Sequence, residues 1–318
     1  MTDHPPAPGN TGIQNTGAGV INVTQSAFGD RPVVMNHPGP RGAGQPVGAS
    51  PRAGWDVGII TVLSEETAAI ASMLAAAGTA EDRVDDSGQR FREARITTAG
   101  RSLSVVAAQS LSPGQRPATL AFDRLCQAYA PRVVILAGIA GAISPAVRLG
   151  DVVIASEVIY YDLRKETPGR VLRRGQARPV PAPIAHAVND FFTDHGEPYA
   201  TTIPDPPGPP RACTVMRGPI GSGEAVVADA RSAIRSYLTT VTDKTLALET
   251  EAGGVAEAFY ESAATRAAPR GWLSIRGISD HADAAKNDTS HDIAARHAAA
   301  ICLQILPYFT PSHGDDPS

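Results

Sequence analysis

Ala247-Leu-Glu-Thr-Glu-Ala-Gly-Gly-Val-Ala256 and Ser274-Ile-Arg-Gly-Ile-Ser-Asp-His-Ala-Asp283 decide how this chain is read. Thr245–Leu248 is a short apolar strand, and Glu251–Ala264 follows it as a helix. Gly271–Ile278 is a second strand. The segment is therefore strand, helix, strand, the repeating unit of an α/β sheet. Both strands run into carboxylates, Glu249 and Glu251 in the first and Asp280 in the second. Acids are seldom placed among apolar residues unless something there uses them. Two separated acids at strand ends suit cleavage of a glycosidic bond.

The pattern continues outward. Asp56-Val-Gly-Ile-Ile-Thr-Val-Leu63 is a mostly apolar run typical of a buried strand. Ser64 is expected to cap the helix that follows, with Glu65 and Glu66 in its first turn, where the helix dipole favours acids. Ser102–Gln109, Arg132–Ala137, Asp151–Ser156 and Cys213–Ile220 read as strands. Pro117–Tyr129, Ile184–Asp194, Ala228–Tyr237 and Ser290–Pro307 read as helices. Arg164–Arg178 and the proline-dense Thr201–Pro210 read as exposed loops. Strands and helices interleave, which predicts one α/β domain with a central mixed sheet over residues 55–310.

The ends differ in composition. Gly9–Gln25 mixes Gly and Asn with β-branched residues and has the makings of one or two short strands; residues 36–54 are Pro/Gly/Ala-rich and read as a linker. Residues 1–54 are taken as an arm, largely disordered or a short β-element that contacts a partner or another subunit, and 311–318 as a disordered tail. A net charge of −4 disfavours nucleic acid as the main partner. The start of the chain lacks an apolar signal core, and no apolar run has the length of a membrane span. Cys126, Cys213 and Cys302 are few and scattered, as in a reducing cytoplasm.

Each candidate residue has an ordinary alternative. Glu251 opens a helix at the strand-end crevice where α/β sheets bind ligands, yet an acid there also satisfies the first helical amides. Glu249 shares its face if the strand continues. Asp280 projects from a strand end, or is a turn aspartate bonded to its own backbone. Arg276 is its partner, an anion contact or part of a structural ion pair. Glu66 serves catalysis or compensates the helix dipole. Gly138-Ile139-Ala140-Gly141 reads as a loop whose amides approach a ligand closely. It lacks the lysine of a phosphate loop and the spacing of a dinucleotide fingerprint. Asp280, His281, Asp283, His291 and Asp292 show no metal-ligand spacing, so neither metal nor cofactor is expected.

Six segments, in order, resemble the nucleoside phosphorylase/nucleosidase superfamily, nearest to methylthioadenosine/S-adenosylhomocysteine nucleosidase-like domains. They are Val57–Glu66, Leu136–Ala142, Leu149–Glu157 with Tyr161-Asp162, Gly221-Ser-Gly-Glu224, Leu248-Glu-Thr-Glu-Ala252 and Arg276–Asp283. The resemblance implies a three-layer αβα domain with a mixed, partly barrel-like sheet flanked by helices, and a homodimer. It implies a purine nucleoside or nucleotide as substrate. Asp280 would protonate the base, Glu251 would bind the ribose hydroxyls, and Glu66 would deprotonate the attacking water. Gly138, Ile139, Ala140, Gly141, Val226, Glu249, Thr250 and Ser279 would line the site, with Arg116 and Arg276 as possible anion contacts. Three positions depart from the family pattern: Thr250 replaces the usual Met, Ile139 a common Ser or Thr, and Val226-Val227 an aromatic. The resemblance leaves open a phosphate-dependent phosphorylase, and a sensing module that binds a nucleoside without cleaving it.

Overall fold

The structure is a computed structural model that describes residues 14–15, 21–23, 33–35, 54–205, 208–263, 268–283 and 290–309. The chain divides into two compact units, Met1–Ser50 and Pro51–Ser318. In the first, β1 (Gln14–Asn15), β2 (Ile21–Val23) and β3 (Val33–Met35) form an antiparallel sheet in that order. Most of the expected linker, and the whole expected tail 311–318, lie outside the described residues.

The second unit begins with β4 (Val57–Thr61), α1 (Ser64–Ala77), β5 (Gly78–Val84), β6 (Arg90–Thr98) and β7 (Arg101–Gln109). Next come α2 (Gln115–Tyr129), β8 (Val133–Ala142), β9 (Val152–Tyr160), β10 (Arg164–Thr167), β11 (Arg170–Arg173), β12 (Gln176–Pro179) and α3 (Ala182–His195). It ends with β13 (Tyr199–Ile203), β14 (Arg211–Ser222), α4 (Ala233–Val241), β15 (Ala247–Glu249), α5 (Ala252–Ser262), β16 (Gly271–Asp280) and α6 (His291–Ile305).

An eleven-stranded sheet runs β12-β9-β14-β15-β8-β4-β7-β6-β5, with β13 on β14. Strand β16 pairs in parallel with β8 and antiparallel with β9. Because β9, β14, β15 and β8 are already joined in that order, β16 closes a five-stranded ring inside the larger sheet. The sheet is thus mixed and partly barrel-like, with helices packed on it. Every residue of β4 and β16 is buried, which is why β4 reads as a mostly apolar run, while β16 also buries Ser274, Arg276, Ser279 and Asp280. Helix α6 lies on β16 and β8, α1 packs on α6, and α2 packs on α5.

Several expectations need correction. Strands β5 and β6 were not anticipated. All seven residues of β5 are exposed, so no apolar face announces it. It is an edge ribbon held to β6 by charge, Arg92 Nε meeting Asp82 Oδ1 at 2.7 Å. Arg164–Arg178 forms the hairpin β10–β11 and the edge strand β12 rather than a loop. Part of Thr201–Pro210 belongs to β13. Helix α4 starts later than expected, at Ala233, where the Ser232 hydroxyl accepts the Ile234 amide at 3.2 Å. Ser64 does not cap α1. The Glu66 side chain does, taking the Val62 and Leu63 amides at 2.8 and 2.9 Å. Gly138–Gly141 is no loop either; it completes β8.

Candidate active site

The cleft forms where β4, β8, β15 and β16 end. Each strand carries its last residues out of the core, so the side chains that follow converge on one space of about 230 Å³. Glu66, Glu249, Glu251 and Asp280 all line it, with Ile139, Ala140, Gly141, Val226, Thr250 and Ser279. These residues come from five separate stretches of sequence.

Glu66 is buried on the first turn of α1. Its Oε2 caps that helix, and its Oε1 accepts the Ile139 amide at 2.9 Å, which ties α1 to β8. Burial pushes its pKa above the usual glutamate value, against the opposing pull of Arg276 and the three amides. Glu66 therefore both compensates the helix end and lines the cleft.

Glu249 and Glu251 share a guanidinium. Arg276 is buried; its Nη2 forms an ion pair with Glu249 and meets Glu251 Oε2 at 3.2 Å. Glu249 also accepts the Glu251 and Ala252 amides at 3.0 and 2.9 Å, taking the role of helix cap expected of Glu251. Burial raises the Glu249 pKa, with Arg276 opposing. Glu251 accepts the Gly114 amide at 3.1 Å through Oε1 and is hydrogen-bonded by the Thr250 hydroxyl. The polar residue at position 250 thus makes a contact that Met cannot.

Asp280 ends β16. Its Oδ1 accepts the Ala282 amide at 2.8 Å, the turn geometry anticipated as its ordinary alternative, while Oδ2 accepts from the Ser279 hydroxyl at 3.0 Å. Both descriptions hold at once: the turn fixes the carboxyl, and the carboxyl faces the cleft.

Gly138 and Gly141 do a different job from the one expected. A Cβ at 138 would overlap Glu66 Oε1, and one at 141 would lie 2.7 Å from Asp280 Oδ1. The glycines leave room for the Glu66 and Asp280 carboxylates, and Gly141 also lines the cleft. Gly138 itself is not among the lining residues. The two arginines are placed differently, Arg276 in the structural ion pair that was one of its alternatives. Arg276 lies behind the wall, fully engaged by carboxylates. Arg116 is exposed and lines another groove, with Tyr160 and Arg178.

Val62, Leu63, Pro113, Val227, Leu248 and His291 complete the lining. All but His291 are apolar residues in apolar or turn segments, and carry no sequence signal of function. His291 Nδ1 lies 3.0 Å from Glu65 Oε1. Asp283 and exposed His281 lie beyond the end of β16, while Lys286 and Asp288 are outside the described residues. Among the described residues no cluster of three or more His, Cys, Asp or Glu is arranged to hold a metal ion.

Residues 56–307 match the phosphorylase superfamily. The chain belongs to that superfamily. Among its curated relatives is the ATP nucleosidase Cap17 of Escherichia coli, 26% identical over 79% of this chain and 50% of the relative. The chain thus spans about half the length of the first curated relatives it matches. The 5'-methylthioadenosine/S-adenosylhomocysteine nucleosidase of Anoxybacillus flavithermus is 26% identical over 61% of this chain and 76% of its own. The S-adenosylhomocysteine nucleosidase of Streptococcus pyogenes shares the fold, with TM-score 0.62 at 18% identity over 80% of this chain and 97% of that one. So does the futalosine hydrolase of Helicobacter pylori, with TM-score 0.61 at 17% identity over 80% and 97%. No helix among the described residues of this superfamily member is long and apolar enough to cross a membrane.

Proposed function

We propose that this phosphorylase-superfamily chain is a purine N-ribosyl hydrolase that acts on a nucleoside or nucleotide with water as nucleophile. One observation carries the reading: Glu66, Glu251 and Asp280 line a single cleft. Cleavage of the C1′–N bond passes through a cationic sugar, which nearby carboxylates stabilise. Asp280 donates a proton to N7, so the bonding pair leaves with a neutral base. Glu251 accepts hydrogen bonds from the ribose hydroxyls. Glu66 takes a proton from water as the oxygen bonds to C1′, giving ribose and free base. Burial favours this role, because a raised pKa makes Glu66 a stronger base. Acid and base serve opposite faces of the sugar, as in inverting glycoside hydrolysis.

Water is favoured over phosphate by the charge of the wall. Four carboxylates line the cleft, no Arg or Lys does so among the described residues, and the Arg276 charge is met by Glu249 and Glu251. A phosphate dianion would enter against that field.

The test is incubation with adenosine, methylthioadenosine, S-adenosylhomocysteine, AMP, ATP and NAD, with chromatography for free base, with and without phosphate. Phosphate-independent release of base from at least one of them is expected. Turnover that requires phosphate and yields ribose 1-phosphate would show a phosphorylase, and tight binding without turnover a sensing module. Asp280→Asn is expected to lower base release by roughly 10²–10⁴-fold with the melting temperature little changed. Near-wild-type turnover in that variant would remove Asp280 as the acid.

A further inference from the structure

Glu251 is held by a ring of buried groups that closes on itself. Its Oε1 accepts the amide of Gly114, the residue just before α2. The next residue, Gln115, is buried and is not among those lining the cleft; it lines the separate groove that contains Arg116 and Tyr160. Gln115 Nε2 donates to Ser222 Oγ at 2.9 Å and to the Gly223 carbonyl at 3.2 Å, and its Oε1 accepts the Gly254 amide at 2.5 Å. Ser222 is fully buried, accepts the Gly253 amide at 2.9 Å and stands opposite Glu249 where β14 pairs with β15. Glu249 pairs with Arg276, and Arg276 reaches Glu251. The path Gln115–Ser222–Glu249–Arg276–Glu251–Gly114 returns to the residue beside its start.

The chemistry of the ring asks for a carboxamide at 115. A hydroxyl has one donor and two acceptor positions. The Ser222 oxygen takes two hydrogen bonds, from Gln115 Nε2 and from the Gly253 amide. The Gln115 side chain also offers an acceptor to the Gly254 amide, which it shares with the Glu251 carbonyl at 3.0 Å. Only an amide side chain of this length offers both; Glu lacks the donor and Met lacks both. The glycines beside it keep the contact close. A Cβ at 253 would lie 2.7 Å from Gln115 Oε1, and one at 254 would overlap the Gln115 carbonyl.

We infer that Gln115 is a positioning residue for Glu251: it joins the start of α2, the end of β14 and the first turn of α5, and so fixes where the ribose-binding carboxylate lies. This rests on the hydrolase reading above. Gln115 touches no reacting group, so its loss acts through Glu251. Misplacing a catalytic contact by about 1 Å costs on the order of 10²-fold.

Wild type, Gln115→Met, Glu251→Gln and the double variant are assayed on the best purine ribonucleoside from the screen above and on its 2′-deoxy counterpart. Gln115→Met is expected to lower kcat/KM for the ribonucleoside by about 10–10²-fold. Its preference for ribo over deoxy substrate is expected to fall towards that of Glu251→Gln. The double variant is expected to lose no more than about twofold beyond Glu251→Gln, because coupled groups do not add. A wild-type ribo/deoxy preference in Gln115→Met, or losses that multiply in the double variant, overturns the inference. If Gln115→Met does not fold, Ser222→Ala opens the ring from the other side and must give the same collapse of preference; retention overturns the inference. A wild type that releases no base from any substrate overturns the hydrolase reading and this inference with it. Turnover by wild type with unchanged preference in the variant overturns the inference alone.

Discussion

Glu66 shows how much one side chain can be asked to do. It caps α1, bridges to β8 and faces the cleft, all while burial disfavours its charge. The pH dependence follows from that direction. A base must be unprotonated to act, so activity is lost as pH falls through the Glu66 pKa. Because that pKa is raised, the acidic limb of kcat/KM is expected above the ordinary glutamate value of 4.5, and a pH–rate profile measures it. An acidic limb at or below that value would contradict the role. Gly138 is the companion test. A methyl group there must displace Glu66 Oε1 or Arg276 Nη1, so Gly138→Ala is expected to lower turnover on the order of 10²-fold. Steady-state kinetics with a folded, soluble variant check it. In sequence, Gly138 and Gly141 are visible only as glycines; what they make room for comes from other elements.

At the scale of elements, the site is a set of strand and helix ends locked by one cation. Arg276 sits on β16, yet its partners are the last residue of β15, Glu249, and Glu251 just beyond it. Two acids and a guanidinium out of water are stable only as a set, and removing one member leaves charge unmatched. Arg276→Met is therefore expected to destabilise the fold by about 3–5 kcal/mol, read by chemical denaturation. A loss under about 1 kcal/mol would show that the trio is not held as described. The same elements show where sequence patterns succeed. β4 and β8 are buried on both faces and spell mostly apolar runs, and β16 opens with one at Gly271–Leu273. β5 and β10–β12 are mostly exposed edge pieces whose pairing comes from the chain beside them, and nothing in their own residues announces a strand.

At the scale of the whole second unit, β16 decides the architecture by pairing with β8 and β9 together. The α6 helix seals that closure, and His297 on it is buried with Nδ1 2.6 Å from the Gly150 carbonyl. Burial lowers its pKa below 6.5. The folded state thus holds His297 neutral where the unfolded chain takes up a proton. Its stability is fully present above about pH 6.5 and is lost as pH falls through the folded-state pKa. His297→Asn is expected to flatten that decline, by up to about 1.4 kcal/mol per pH unit, in denaturation measured between pH 7 and 5. Equal slopes in variant and wild type would exclude His297 as a source. The fold class was legible because apolar periodicity is local: the buried central strands and most helices carry their own burial pattern. The three acids were legible because charge among apolar residues stands out along the chain. The sequence alone marked Glu66, Glu251 and Asp280 as candidates at or just beyond strand ends. Only the tertiary structure decided that Arg276 is consumed by Glu249 and Glu251, that Arg116 lies elsewhere, and that two glycines clear space for two acids. Those facts depend on distances between segments far apart in the chain, which local physics does not encode.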